Sequence, residues 1–366
     1  MAEFVHLHCR SWFSFLAGGS SPQSLAQEAH RIGHSHLALT DVNGTYGAVR
    51  FQQACREVGI QGLIGAEILP AAVRNAPVSS QHLPHSLILL AVDLEGYANI
   101  CRLLTQYHTR PTGDMRLNDH RDYKTGTICL TGSHASRLWQ LLEANKLSKA
   151  LDWARTLQSI YYDALYIELT YHAMPNERII LNRLKALAHH LSIPILASNA
   201  VRYATPNDFV RYDLLTCIRL GIPLNQPHSE RSSNAEAYLK ADLDHAIIPS
   251  EAFSNTLNVA EKCQCNLLKD QVLSPPARIP AQYSQQQYLA KLCYGGLMAK
   301  YDERVPDALH QLNAELAVIY DLQLEEFFLV VREVILESQR RGIRCAGRGS
   351  AANSIVAYLL DITGVD

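Results

Sequence analysis

Phe4-Val5-His6-Leu7-His8 is a short apolar run carrying two histidines two residues apart, which sets both imidazoles on one face of a strand. Six more short apolar runs follow, at residues 36–41, 62–69, 87–93, 127–131, 164–169 and 193–199. Amphipathic stretches lie between most of them, at residues 22–32, 49–58, 97–107, 136–160 and 177–191. Pro22 and Pro175 stand where helices begin, and Gly33 and Gly59 where they end. Seven such units predict an α/β fold whose parallel sheet closes into a barrel or nearly so. A doubly wound open sheet is the alternative, but no glycine-rich dinucleotide turn follows the first strand.

Helical patterns continue through residues 205–220 and 250–263, and then the chain changes character. Leu273-Ser274-Pro275-Pro276-Ala277-Arg278-Ile279-Pro280, followed by the glutamines of 285–287, reads as a linker. Residues 288–301, 307–320 and 327–339 then read as helices. The expected organisation is a barrel domain over 1–272, a linker over 273–287 and a mostly helical region over 288–366. The chain has 366 residues, 48% of them hydrophobic and 19% charged, as in a soluble globular protein with a large core. A net charge of −2 argues against a free-standing nucleic-acid binder, though not against one part of a nucleic-acid enzyme. No apolar run is long enough to span a bilayer, and nine scattered cysteines suit reduced thiols in the cytoplasm. Cys263 and Cys265 are a close pair without the second half of a zinc site.

Arg344-Cys345-Ala346-Gly347-Arg348-Gly349-Ser350-Ala351-Ala352-Asn353-Ser354 is the strongest motif. A Gly-Arg-Gly-Ser turn that opens an apolar helix suits phosphates. Glycines let backbone N–H groups approach an anion, and a helix N-terminus adds partial positive charge. Arg348 offers a charged fork and Ser350 a hydroxyl or a cap. Arg348 also has a bland reading, as a packed structural side chain.

At a barrel mouth the C-terminal strand ends meet, and here they carry His6, His8, Asp41, Glu67 and Glu168, with His85, His134 and His172 nearby. Imidazoles and carboxylates converging there suit zinc, manganese or iron. The competing reading is that the chain's sixteen histidines are scattered and these few are simply half-buried, with Asp41 a turn carboxylate.

The residues around His6 and His8, Ala38-Leu39-Thr40-Asp41 and Ile64-Gly65-Ala66-Glu67 together resemble the PHP (polymerase and histidinol phosphatase) domain. The segment running from Glu315 through Phe327-Phe328 and Gly347-Arg348-Gly349-Ser350 to Gly364-Val365-Asp366 is similar to the entry into the palm of bacterial DNA polymerase III alpha subunits. The wording Ala351-Ala352-Asn353-Ser354 is closest to their error-prone branch. The resemblance implies a PHP-type distorted seven-stranded barrel followed by the start of a palm. It also implies template-directed DNA synthesis with Mg2+, on a DNA primer-template and deoxynucleoside triphosphates, beside other replication or repair subunits. Gly347, Arg348, Gly349 and Ser350 then match the turn that holds the triphosphate, and the catalytic aspartates are expected beyond Asp366.

For the barrel, the resemblance matches His6, His8 and Glu67, with Asp41 a weaker candidate, to metal ligands. The other ligand positions of the pattern fall on Ala17, Val42, Ser86, Ser133, Ala200 and Arg202. A permanent cation at Arg202 opposes metal binding. The expectation is therefore a degenerate site without zinc or manganese, kept as a scaffold. The alternative is a metal-dependent PHP phosphoesterase or 3'-5' exonuclease working in the barrel mouth.

Overall fold

In a computed structural model, residues 4–69, 86–110, 117–268, 276–301, 305–349 and 353–365 are described. Two compact units emerge, Met1–Lys269 and Asp270–Asp366.

The first unit is built on a six-stranded sheet in sequential order: β1 His36–Val42, β2 Gln61–Ile68, β3 Leu87–Ala91, β4 Thr127–Leu130, β5 Leu165–Thr170 and β6 Ile195–Ser198. The segment around His6 occupies the seventh place. It bridges to β1 at His6–Leu37 and to the chain just beyond β6 at Cys9–Val201, so the sheet is closed by backbone pairing on both sides. Ala38 N–H donates to the His6 carbonyl, and Val201 N–H to the His8 carbonyl, each at 2.9 Å. Helices Pro22–Arg31, Ala48–Val58, Leu94–Thr109 and Glu177–Leu191 follow the amphipathic stretches. The stretch read as one helix over 136–160 is instead two, Arg137–Glu143 and Leu147–Tyr161, parted by Asn145 in the left-handed region at φ 56°.

The sheet is not wholly parallel. β3 runs antiparallel to both β2 and β4, with Ile68 opposite Leu87. A parallel pair needs a crossover to the far edge, whereas an antiparallel strand can begin at the edge where its neighbour ended. The start of β3, not its end, therefore lies at the mouth, and Ser86 enters the site.

Side chains alternate along each strand, so Leu63 shares a face with Glu67, and Tyr166 with Glu168. The apolar members pack with Val5, Leu7, Ile88, Leu130 and Leu196 in one cluster, closed by Val259 and Ala260 of helix Ser250–Lys262. The polar members sit one layer above, at the mouth. Cys263 and Cys265 are buried, and burial pushes the Cys263 thiol up to about 12. They are core residues.

The second unit packs Gln285–Lys300, Val305–Asp321, Glu325–Arg340 and the short Ile355–Leu359 around Leu289, Leu312, Leu316 and Val356. Gln285–Gln287, read as linker, form the first helical turn. Ser284 accepts from the Gln287 N–H, and the Gln287 side chain answers to the Ser284 N–H, a capping box. Among the described residues, no helix is long and apolar enough to cross a membrane.

Candidate functional site

Two places were singled out by sequence: the barrel mouth and the Gly-Arg-Gly turn. At the mouth, β2 delivers Glu67 and β5 delivers Glu168, both fully buried. His8 lies between them. Its Nδ1–H donates to Glu168 Oε1 at 2.8 Å and its Nε2–H to Glu67 Oε2 at 3.1 Å. Burial alone would strip the proton from this ring. Glu168 and then Glu67 outweigh it and push the imidazole up to about 9.

Arg10, which the sequence reading passed over, completes the cluster. Its Nε and Nη2 grip the two oxygens of Glu67, each at 2.6 Å. Ser86 Oγ donates to Glu67 Oε1 at 2.6 Å, and Arg202 Nη1 stands 3.7 Å from Oε2. Burial works against the Glu67 charge, but Arg10 and His8 more than offset it and hold this carboxyl well below its ordinary range. Three cationic side chains therefore meet two carboxylates.

This arrangement does not fit a metal cluster. Both nitrogens of His8 are donors, so neither has a lone pair to offer. Both oxygens of Glu67 are taken by a guanidinium, and Arg202 adds a second one. Ala17, Val42 and Ala200 bring no donor atom. His6 is not part of the group: its Nε2 contacts the Lys240 carbonyl at 2.9 Å, and its ring packs edge-on against Phe4 and His34. Burial, then the neighbouring His34, pulls His6 down to about 3. Asp41 accepts from Ser11 N–H at 2.7 Å and from the Ser11 and Ser14 hydroxyls, so it braces the turn that follows the segment around His6 and His8. Burial raises its carboxyl above the usual value in spite of those bonds. His85 lies outside the described residues. His134 and His172 come together elsewhere on the rim, with Glu177.

In the second unit, Gly349 adopts φ 67°, a left-handed conformation that favours glycine, with open space where a side chain would project. Gly347 N–H donates to the Ile362 carbonyl at 2.7 Å, which pins the turn to the chain beyond the helix. Arg348 is exposed and has no hydrogen bond or ion pair among the described residues. Ser350 lies outside them.

The helix after the turn differs from its expected role. Helix Ile355–Leu359 has its own built-in anion: Glu315 accepts from Ile355 N–H at 3.2 Å, Val356 N–H at 3.3 Å and Ser354 Oγ at 2.8 Å. Ser354 Oγ in turn accepts from Ala357 N–H. The first N–H groups of this helix are thus occupied by Glu315 and are not open to another anion. Glu315→Ala is expected to lower the stability of the helical unit by about 1–2 kcal/mol, as loss of a cap does. Chemical denaturation of the chain followed by circular dichroism checks it. Asp361 does not reach the turn as a free carboxylate, because Lys300 Nζ pairs with it at 2.7 Å. Asp366 lies outside the described residues.

Comparison with known proteins finds one match within each unit. Residues 6–172 match the PHP domain, and residues 287–366 match the bacterial DNA polymerase III alpha NTPase domain. Over its full length the chain is 35% identical to an error-prone DNA polymerase of Symbiobacterium thermophilum, covering 35% of that protein. It is 32% identical to a DNA polymerase III subunit alpha of Treponema pallidum, covering 32%, and 31% identical to an error-prone DNA polymerase of Alkalilimnicola ehrlichii, covering 34%. The chain spans about a third of the length of these relatives.

Proposed function

The chain belongs to the bacterial DNA polymerase III alpha family, and from that premise we propose that it supplies the barrel and the triphosphate-holding turn of a template-directed DNA polymerase. The observation that carries this reading is the turn at Gly347, Arg348 and Gly349. It presents an exposed guanidinium, without a partner among the described residues, beside a left-handed backbone that favours glycine, in the segment that matches the polymerase family. Ser350 is assigned to the same phosphate contact by its place in the motif.

In this proposal Arg348 binds the triphosphate of the incoming nucleotide through charge-assisted hydrogen bonds. Gly349 keeps side-chain bulk away from the phosphate oxygens. Magnesium enters with the nucleotide, and clustered aspartates outside these residues hold it. The substrates are a DNA primer-template and deoxynucleoside triphosphates, and the setting is the cytoplasm. Further replication or repair subunits are the partners the family suggests. His6, His8, Glu67 and Asp41 are assigned no zinc or manganese. The barrel is a scaffold held by charge pairs rather than a phosphoesterase or exonuclease centre.

Arg348→Ala, placed in a polymerase that carries this segment, is expected to raise KM for nucleotides by about tenfold or more. A charged hydrogen bond is worth about 1.5–3 kcal/mol. Gly349→Ala is expected to do the same through backbone strain. Steady-state primer extension measures both. Unchanged KM and kcat in the two variants would remove the turn from nucleotide binding.

A further inference from the structure

The barrel rim carries a second polar group that shares no side chain with the His8 cluster. β4 and β5 are parallel neighbours, so the residues that follow them emerge on the same edge. His134 follows β4 and His172 follows β5. Glu177 opens the helix Glu177–Leu191 that comes next. One donor atom from each of the three lies within 4.8 Å of the others, and the two imidazole rings are 5.1 Å apart at 30°.

Each donor is already aimed. His172 Nε2 meets the Asn199 carbonyl at 2.7 Å and can only donate there, so its Nδ1 keeps the lone pair. A metal-binding imidazole is oriented in this way, by a carbonyl on its other nitrogen. Glu177 is held by the N–H groups of His172, at 2.9 and 3.0 Å, and of Met174 at 2.8 Å. His134 Nε2 lies 2.5 Å from Glu177 Oε1.

The group faces a cavity of about 380 Å³ whose far wall is Ser229–Ser232. The charged residues of that wall are neutralised in place. Arg231 forks onto Asp213 at 2.6 and 2.9 Å, and Glu230 pairs with Arg219 at 2.7 Å. Among the described residues no guanidinium pairs with these donors, whereas Arg10 and Arg202 both lie on Glu67 at the mouth.

We propose that His134, His172 and Glu177 form a zinc site, with two imidazole nitrogens and one carboxylate oxygen as ligands. Three protein ligands leave one position of a tetrahedral ion open, and here it opens into the cavity, to water or a small anion. Binding requires the Nε2 proton that His134 gives to Glu177 to move to Nδ1, so that Nε2 turns its lone pair to the ion and Glu177 Oε1 is freed to coordinate it. This inference is independent of the polymerase reading, since it uses neither the Gly-Arg-Gly turn nor the nucleotide.

The test uses the whole 366-residue chain, stripped with a chelator and titrated with zinc chloride alone. About one ion per chain is expected, as for a mononuclear site. Cobalt substitution should give the visible bands of a four-coordinate ion. His134→Gln and His172→Gln should each weaken zinc by at least about tenfold, in proteins with unchanged circular dichroism. Glu177→Gln keeps an oxygen for the Met174 and His172 N–H groups, so it should fold yet bind more weakly. Failure to bind zinc stoichiometrically would overturn the proposal. So would undiminished affinity in the folded variants, or binding lost only on Glu67→Gln, which would put the ion in the barrel mouth.

Discussion

Replacing Glu67 with alanine is expected to destabilise the barrel unit by about 3–5 kcal/mol, the cost of leaving buried charge without its partner. Glu67 is fully buried and is the common partner of Arg10, Ser86 and His8, with Arg202 close by. Without it, two guanidiniums and an imidazolium repel one another in a largely buried place. All three tryptophans, Trp12, Trp139 and Trp153, belong to this unit, so fluorescence during urea unfolding reports on it alone. A Glu67→Gln variant keeps the shape and loses the charge, and it should recover only part of the loss. A change below about 1 kcal/mol, the level of exposed pairs, would show that the cluster is solvated in solution.

The same cluster sets a pH dependence on the alkaline side. His8 is raised from 6.5 to about 9 in the folded protein by its two glutamates, against the opposing effect of burial. A group whose folded value is raised adds stability below its unfolded value and loses that contribution as pH climbs through the folded one. The loss therefore falls between about pH 6.5 and 9 and amounts to roughly 3 kcal/mol. His6, held down to about 3, acts in the opposite sense and makes stability fall as pH drops below about 6.5. Stability should thus peak near pH 6.5 and decline on both sides. Above about pH 9 the buried thiols of Cys55 and Cys263, both pushed up to about 12, add to the decline. Urea midpoints measured by tryptophan fluorescence across this range check the profile. A His8→Gln variant should lose most of the slope between pH 6.5 and 9, and a slope that survives the substitution would assign it to other groups.

Much of the architecture could be read from periodicity. The apolar runs and amphipathic stretches gave nearly every strand and helix of the first unit, because alternation at two and at 3.6 residues is a local property of the chain. Arg10 was legible in part, since it stands two residues after His8 and reaches the same carboxylate, although the alternation does not carry back to His6. Its residue type gave no sign of a place at the mouth, because a guanidinium has no lone pair to offer a metal. Glu315 gave no local sign of its role, because capping a helix 40 residues away leaves no trace in the spacing of either segment.

The sequence by itself determined the elements, their order, the glycine turn and the resemblance that names the family, all of which depend on neighbours along the chain. Only the tertiary structure decided what the charged residues do. Glu67 and Arg10 are 57 positions apart, and whether a carboxylate at the barrel mouth binds a metal or a guanidinium depends on which side chain arrives beside it. The direction of β3 was decided in the same way, and with it the arrival of Ser86 at Glu67. His134, His172 and Glu177 were visible as scattered donors, but only the parallel pairing of β4 with β5 brings their lone pairs within reach of a single ion.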